Sequence, residues 1–600
     1  MSAYRAPLRD MEFVVRELAG LAEVAALPGF GEAVDVASEV LEQAATFARD
    51  VLDPLNASGD REGCTWRDGV VTTPRGFKEA YRRFAEDGWI GLAVPETYGG
   101  GGLPQVLSGP VHEMWTAANL GFSNAPGLCQ NAIETLELNA SEDQKRLFIP
   151  KLISGEWTGT MDLTEPQAGS DLAAVRTRAV PDGDRYRLSG QKIFITYGEH
   201  DIAENIVHLV LARLPDAPNG TKGISMFAVP KFLMEPDGSL GARNDVWCAS
   251  IEHKLGIKAS PTCTINFGER DGGALGELVG EPNRGMEYMF VMMNAARFGV
   301  GVQGIGLAER AYQRAREFAE ERVQGRDLRT LADRSASPVP IVRHPDVRRM
   351  LGEMKALTEA MRALAYVTAA SLDHAARHPD ETVRAQHRAF LELMTPIVKG
   401  WCTETGVEIA STALQVFGGM GFVEETGVAQ QYRDVRITSI YEGTTGIQAL
   451  DLVGRKILRD GGATAGRVIR EIHDCARALE SDADSTLRAI GERLARATSA
   501  LGTATKSLLA QGDIVEAAAA SVPYLKLWGV VAGGWQIARS AQIARARLAE
   551  ADDAFYRGKI DTALFYCDHV LSRAAWYAES IASRASILET RAATAQAVAR

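Results

Sequence analysis

One carboxylate, Glu442, lies between an aromatic residue and a glycine, just ahead of a predicted helix. Thr445, followed three residues later by Gln448, has the form of a capping box that begins this helix. A carboxylate packed against Tyr441 at such a junction has its charged form disfavoured, and this favours general-base chemistry near neutral pH. The alternative is a carboxylate that only stabilises the helix N-terminus, where negative charge is favourable in any case.

A second segment with chemical potential is MDLTEPQAGSD, residues 161–171. It places Thr164 and Ser170 around a Pro-Gln-Ala-Gly bend. Hydroxyls and free backbone N–H groups on such a bend suit carbonyl and phosphate oxygens of a ligand, because they donate hydrogen bonds without adding charge. The alternative is an ordinary turn in which Ser170 caps the element that follows.

The elements that must position these groups divide the chain into four predicted parts. A chain of 600 residues is too long for a single core, so two to four domains are expected. Helical periodicity dominates outside one middle region, where short apolar runs are bounded by Pro, Asn and Gly. The prediction is an α+β protein, mostly α, with a helical domain at 1–155, a β domain at 156–275, a helical bundle carrying Glu442 at 276–460 and an additional helical domain at 461–600.

The predicted β domain is small and mostly antiparallel. Residues 176–180 alternate in polarity, Asp182-Gly183 is a hairpin-type turn, and residues 186–195 continue the strand pattern. Short apolar runs follow at 206–211 and 223–229.

The most apolar helix of the chain is predicted at 521–549. Gly529, Gly533 and Gly534 would let a neighbouring helix approach closely. The prediction is therefore a buried helix of an extra helical domain, with membrane attachment as the weaker alternative.

Composition narrows the class of protein. The formal net charge of -12 argues against nucleic-acid binding. The sequence contains no run of eighteen apolar residues, so no transmembrane segment is predicted. Seven cysteines form neither a CxxC pair nor a zinc-like cluster, so free thiols and no metal site are expected. The first twenty residues carry three acidic side chains and lack a signal-peptide core, so a cytoplasmic location is expected.

Four motifs in order resemble the acyl-CoA dehydrogenase family. They are TEPQAGSD at 164–171, QKIFITYG at 191–198, ALQVFGGMG at 413–421 and IYEGTTGIQ at 440–448, and a GW-GL-VPE--GG pattern precedes them. The resemblance covers residues 35–458 and implies an N-terminal helical domain, a β-barrel-like middle domain and a C-terminal four-helix bundle. The length and the YRAPLRDM opening resemble a long bacterial branch whose substrates include 3-methylmercaptopropionyl-CoA.

The resemblance implies roles for individual residues. Glu442 is the catalytic base that removes the α proton of a thioester. The residues implied to bind substrate are Ser170, Asn294, Arg297, Tyr441 and Gly443. The residues implied to bind FAD are Met161, Leu163, Thr164, Ser170, Phe194, Thr196, Arg322, Gln324, Gln415, Gly418, Gly419, Thr444 and Gly446.

Several positions depart from the family pattern. Phe194 replaces the usual tryptophan, which keeps a ring, and Met161 replaces a frequent tyrosine, which loses a hydroxyl donor. The Arg322-Val323-Gln324 spacing is shortened by one residue, and Gly446 stands where glutamine is common. Ala296 occupies the position of the base in other subfamilies, which leaves Glu442 as the implied base.

The implied reaction is α,β-dehydrogenation of a short acyl-CoA. An electron-transferring flavoprotein is the implied acceptor, and a homo-oligomer is expected, a dimer or otherwise a tetramer. An acyl-CoA oxidase would use the same residues, and a medium- or long-chain dehydrogenase is a further alternative. A nitroalkane oxidase would carry aspartate as base, and a DNA-binding flavoprotein would need a basic last domain, whereas charges there are balanced.

Overall fold

The structure is a computed structural model, which describes residues 3–235, 239–330, 332–510, 513–550 and 552–584. The chain forms two compact units. We call Met1–Ala45, Pro104–Ala117 and Val300–Arg600 the helical unit, and Thr46–Leu103 and Ala118–Gly299 the sheet unit. Each unit is assembled from separate stretches of sequence. These two units do not correspond one to one with the four predicted domains, so the predicted domain boundaries stay a prediction.

The α-helices follow the periodicity of the sequence. Helices α1 to α18 span Leu8–Phe13, Leu21–Ala25, Ala33–Phe47, Asp53–Glu62, Phe77–Glu86, Gln105–Asn139, Glu142–Ile153, Gly285–Glu321, Pro345–Arg377, Glu381–Phe417, Val428–Val435, Thr445–Asp451, Ala463–Glu480, Ser485–Ala510, Ile514–Ala519, Ser521–Leu548, Ala554–His569 and Arg573–Ala582. The backbone leaves helical geometry inside α6 at Asn119, close to where the chain enters the sheet unit. The expectation of a mostly helical α+β fold is confirmed. The end of the predicted 461–600 segment lies outside the described residues.

The sheet unit holds the described strands. Strands β1 to β12 span Thr65–Arg67, Val70–Thr72, Trp157–Asp162, Arg178–Asp182, Arg185–Thr196, Asn205–Ala212, Ser225–Pro230, Phe232–Met234, Leu240–Arg243, Val246–Ile251, Thr262–Phe267 and Ala274–Val279. Eight of them form one sheet in the order β10-β11-β5-β12-β7-β6-β3, with β4 beside β5. Pairing is antiparallel except between β3 and β6, and the predicted hairpin turn joins β4 to β5. The short hairpin β1–β2 lies within the predicted N-terminal helical domain, and the prediction did not include it.

The helical unit encloses a buried ionic cluster centred on Arg362 of α9. Its guanidinium contacts Asp10 at 2.7 Å and Glu309 at 2.8 Å, and its Nε donates to Glu113 at 3.0 Å. Lys559 of α17 also contacts Asp10, and both charged groups of that pair are buried. Several opposite charges share each cation, which offsets the cost of removing them from water.

The N-terminal segment is fastened to the last helices by a set of contacts that we call the clasp. It consists of the Asp10–Lys559 pair, the Glu17–Arg547 pair at 2.7 Å and the Phe13–Phe555 ring pair, whose centroids are 5.7 Å apart. Residues separated by more than 500 positions therefore share one core.

Helix α16 is buried in the helical unit, as predicted. A Cβ at Gly529 would lie 2.1 Å from the Trp401 ring, and one at Gly533 would lie 2.6 Å from the same side chain. The glycines therefore permit the close approach of α10 that the sequence indicated. Within the described residues, no helix combines the length and apolar character needed to cross a bilayer.

Candidate active site

The implied base lies on a bend between Ile440 and α12 in the helical unit. Glu442 and Gly443 are both left-handed, with φ values of 55° and 88°. A left-handed glutamate is uncommon and persists only where its surroundings hold it, and such residues cluster at functional sites. The Glu442 side chain is half-buried. This agrees with the predicted position at a junction.

Three neighbouring side chains hold this bend. The Tyr441 hydroxyl donates to Gln303 Oε1 on α8, and Gln448 Nε2 donates to the Glu442 carbonyl at 3.1 Å. Lys399 Nζ on α10 donates to the Gly443 carbonyl at 2.7 Å. Burial, with a smaller contribution from the nearby Glu442 charge, raises the pKa of Tyr441, so its hydroxyl stays a neutral donor.

The predicted capping residue of α12 is wrong by one position. Thr444 is the N-cap, and its hydroxyl accepts from Ile447 N at 3.4 Å. Thr445 is the first helical residue and donates instead to Glu404 at 2.6 Å. Thr444, and not Glu442, therefore supplies the side-chain cap of this helix. Thr444 is exposed and Gly446 lies in the first turn.

A second group in the helical unit brings together Arg322 and the glycines after α10. The Arg322 guanidinium lies 5.2 Å from the centre of the Phe318 ring, which stacks on Phe417 at 4.2 Å. Gly418 and Gly419 follow at once, and no atom lies within 4 Å of a Cβ built on either. An exposed cation beside open backbone suits an anionic group such as a phosphate.

Gln324 and Gln415, which the resemblance also implies to bind the cofactor, lie near this group in sequence. Gln324 N donates to Val339 O at 3.0 Å, and its carbonyl oxygen lies 2.7 Å from His344 Nε2, so its side chain projects from an anchored backbone. Gln415, in the last turn of α10, has an exposed side chain.

In the sheet unit, Phe194 lies at a β-bulge. The pairs Lys192–Ile265 and Ile195–Cys263 leave two residues of β5 opposite one residue of β11. Phe194 is left-handed, with a φ of 60°, and the residue is 60 % exposed. A bulge bends the strand and redirects a side chain, which explains why a large aromatic ring lies outside the core.

The TEPQAGSD loop is anchored directly to this strand. Ile193 N donates to Thr164 O at 2.9 Å, and Lys192 Nζ donates to Leu163 O at 3.0 Å. Thr160 Oγ1 on β3 donates to Thr196 O at 2.8 Å. The structure therefore brings Met161, Leu163, Thr164, Phe194 and Thr196 together on β3, β5 and the loop between β3 and β4.

Glu165 holds the loop in place through hydrogen bonds to the backbone and to Lys192. Its buried carboxylate accepts hydrogen bonds from Arg176 N at 2.7 Å, from Thr177 N and Oγ1 at 3.0 and 2.6 Å, and from Lys192 Nζ at 2.8 Å. Burial alone would raise the pKa of Glu165, but Lys192 and these hydrogen bonds hold it at about 2. The carboxylate is therefore ionised at neutral pH.

Ser170 is exposed at the end of this loop and does not cap the turn that follows. Asp171 takes that role, accepting from Ala173 N at 2.9 Å. The alternative role for Ser170 is therefore wrong, and its hydroxyl is placed on the surface.

The other implied substrate residues of the sheet unit lie on α8. Asn294 is exposed, whereas Arg297 is 4 % exposed, and the Arg297 Nη1 lies 3.4 Å from Asn294 Oδ1. The structure thus brings these two residues together, one turn apart.

Sequence reasoning missed Glu165, Lys399 and Gln303. Glu165 stands in the quoted motif, but its role depends on Thr177 and Lys192, which are distant in sequence. No local pattern marks Lys399. Among the described residues, no group of three or more His, Cys, Asp or Glu side chains could hold a metal ion.

Comparison with known proteins assigns the chain to a family. Models of the acyl-CoA dehydrogenase N-terminal, middle and C-terminal domains match residues 35–156, 160–269 and 283–458. A model described as acetyl-CoA dehydrogenase C-terminal like matches residues 468–590.

Full-length relatives agree. The chain is 48% identical over 574 residues to 3-methylmercaptopropionyl-CoA dehydrogenase of Ruegeria pomeroyi, covering 95% of this chain and 96% of that protein. It is 35% identical over 594 residues to the broad-specificity linear acyl-CoA dehydrogenase FadE5 of Mycobacterium tuberculosis, covering 95% and 96%. The fold matches a Bacillus anthracis acyl-CoA dehydrogenase complexed with FAD at a TM-score of 0.74 and 21% identity, covering 96% and 92%.

The chain belongs to the acyl-CoA dehydrogenase family, a family of flavoprotein oxidoreductases. The resemblance noted from the sequence motifs is confirmed.

Proposed function

We propose that this protein is an FAD-dependent acyl-CoA dehydrogenase that uses Glu442 as its base and converts a short acyl-CoA, with 3-methylmercaptopropionyl-CoA first, to the trans-2-enoyl-CoA. The observation that carries the proposal is the left-handed, half-buried Glu442 on a bend held by Lys399 and Gln448. The 48% identity with the Ruegeria protein supports the choice of substrate.

The residues of the sheet unit fit a flavin. Thr164 and Ser170 supply hydroxyl donors, and the exposed Phe194 ring offers a surface for stacking. Met161, Leu163 and Thr196 complete this group. Bound FAD supplies the acceptor for the hydride that leaves the β carbon of the substrate.

The residues of the helical unit fit the dinucleotide part of the cofactor. Arg322 supplies a charge for a phosphate, and the open backbone of Gly418 and Gly419 permits close approach. The list of proposed contacts also includes Gln324, Gln415, Thr444 and Gly446.

The proton step belongs to Glu442. A carboxylate oxygen of Glu442 takes the proton from the α carbon as the C–H bond breaks. Tyr441 and Gly443 border the carboxylate in sequence, and Asn294 and Arg297 are proposed to contact the thioester end of the substrate. Ser170 is proposed to contact substrate as well as cofactor.

Discrimination among short substrates should be modest. A thioether is close to a methylene group in size and polarity, and one methylene in an apolar pocket is worth only about 1–3 kcal/mol. Straight-chain acyl-CoAs of four to six carbons are therefore expected as further substrates, in line with the broad-specificity Mycobacterium relative.

The proposal also covers the electron acceptor, the assembly and the location of the protein. The electron acceptor is an electron-transferring flavoprotein, the assembly is a homo-oligomer with a dimer as the first expectation, and the location is the cytoplasm. Hydrogen peroxide formed at the full turnover rate would favour the oxidase alternative, because an oxidase passes the electrons of the flavin to oxygen.

The decisive experiment compares Glu442→Gln with Glu425→Gln, an exposed glutamate of the same unit. The first should keep FAD and acyl-CoA binding and lose about 10²–10⁴-fold or more in turnover. The second should turn over at the wild-type rate. Anaerobic bleaching of the flavin spectrum across a panel of acyl-CoAs then ranks the substrates. A Glu442→Gln enzyme that keeps more than roughly a tenth of its activity would place the base elsewhere, and a clear optimum at twelve carbons or longer would overturn the short-chain assignment alone.

A further inference from the structure

We propose that Lys399 is a positioning residue for the catalytic base, acting with Gln448 as a clamp on the two carbonyls of the Glu442 bend. The inference rests on the proposed function, because it takes Glu442 as the base.

The bend needs an external hold. Glu442 and Gly443 are consecutive left-handed residues, and only the glycine adopts that geometry without cost. The carbonyl of Glu442 reports the rotation about its own Cα–C bond, and the carbonyl of Gly443 reports the next one. Fixing both carbonyls therefore fixes the backbone from which the Glu442 side chain projects.

The clamp supplies donors to both carbonyls from inside the helical unit. Gln448 Nε2 lies 3.1 Å from the backbone carbonyl oxygen of Glu442 and 3.4 Å from that of Gly443. Lys399 Nζ lies 2.7 Å from the Gly443 oxygen, a short charge-assisted contact. A Cβ added to Gly443 would come within 2.7 Å of Gln448 Nε2, so that amide packs directly against the bend.

The Lys399 side chain is buried and points away from solvent. Its side chain is 0 % exposed, on a central part of α10 that is 44 residues away from the bend in sequence. Buried lysines are rare, and burying an ammonium group is costly unless it is strongly hydrogen-bonded. The Gly443 carbonyl is one acceptor that meets this requirement, and the hydrogen bond holds that carbonyl in place.

The test compares Lys399→Met with Lys559→Met. Both remove a buried lysine of the helical unit, but Lys559 pairs with Asp10 and Glu359 and touches no part of the bend. The substrate analogue is methoxyacetyl-CoA, which has α hydrogens but an ether oxygen at the β position. Exchange of its α protons with D2O, followed by mass spectrometry, reports the base alone, because no hydride can leave the β position.

Misplacing a reacting group by about 1 Å can cost about 10²-fold in rate. We therefore expect Lys399→Met to slow α-proton exchange and kcat by about 10²-fold, with KM within about threefold of wild type and FAD content unchanged. Lys399→Arg, which keeps a charged donor, should recover most of that loss. Lys559→Met should lower the thermal midpoint while exchange per folded molecule stays at the wild-type rate.

Each outcome is decisive. If Lys399→Met exchanges α protons at the wild-type rate, or loses activity only in proportion to lost FAD, the clamp is overturned. If Lys399→Met does not fold, Gln448→Leu removes the donor to the Glu442 and Gly443 carbonyls and must show the same slowed exchange. Glu442→Gln is measured in parallel: exchange retained there refutes the proposed base, whereas exchange lost there but normal in both clamp variants refutes the clamp alone.

Discussion

Replacing Glu165 with glutamine tests how the TEPQAGSD loop is held. The carboxylate ties the loop to β5 through Lys192 and to the segment ahead of β4 through Arg176 N and Thr177. Glutamine keeps the shape of the side chain but removes the negative charge. The buried Lys192 ammonium, which is 0 % exposed, then loses its counter-charge.

The expected loss in the free energy of unfolding follows from the pKa of Glu165. The folded protein holds this pKa at about 2, against an ordinary value of 4.5, so the ionised group stabilises the fold above pH 4.5 and loses this effect as pH falls toward 2. At about 1.4 kcal/mol per pH unit, the difference corresponds to about 3 kcal/mol at neutral pH. Removing one partner of a buried ion pair typically costs about 3–5 kcal/mol, which agrees.

The assay is urea unfolding of the FAD-loaded protein, followed by the rise in FAD fluorescence on release. Glu165→Gln should unfold with about 3 kcal/mol less free energy than wild type at pH 7. This gap should shrink by about half near pH 3, because the carboxyl of the unfolded wild-type chain is then protonated while that of the folded protein is still mostly ionised. Glu287→Gln is the control, because Glu287 forms an exposed ion pair with Arg284 and its replacement should leave the free energy of unfolding at the wild-type value. A gap below about 1 kcal/mol at pH 7, or one that does not vary with pH, would refute the reasoning.

Two further outcomes are expected. Gly529→Ala should lower the free energy of unfolding by about 2 kcal/mol, because its Cβ would overlap the Trp401 ring. Gly558→Ala, a helical position with no atom within 4 Å of its Cβ, should instead raise it by up to about 1 kcal/mol; equal effects in urea denaturation would contradict the packing argument. Arg322→Ala should lower the flavin-to-protein absorbance ratio of the purified protein. Arg316→Ala, which removes an exposed arginine on α8 paired with Glu320, should not lower that ratio. Full flavin content in both variants would remove Arg322 from the proposed cofactor contacts.

Features that depend on neighbouring residues were predictable from the sequence. The bend at Glu442 follows from an aromatic residue and a glycine ahead of a helical pattern, and the turn at Asp182-Gly183 follows from residues that tolerate left-handed backbone. Helix α16 was predictable because its apolar run is long and its glycines mark a close approach.

Features that depend on distant residues were not. Lys399 meets Gly443 across 44 residues, and Glu165 meets Thr177 and Lys192 only after β4 and β5 have paired. Periodicity describes which face of an element is buried but not which partner it meets. The one-residue error at the cap of α12 has a local cause, since Thr444 and Thr445 are adjacent hydroxyls and either could have capped the helix.

The clasp has a consequence for biosynthesis. Asp10 leaves the ribosome early, but its partner Lys559 is 549 residues further along the chain. At roughly 5–20 residues per second, about 30 to 110 s pass between the synthesis of Asp10 and that of Lys559. During that interval Phe13 lacks the Phe555 ring against which it packs in the folded protein. The first segment of the chain therefore reaches its final packing only after the last helices have been made.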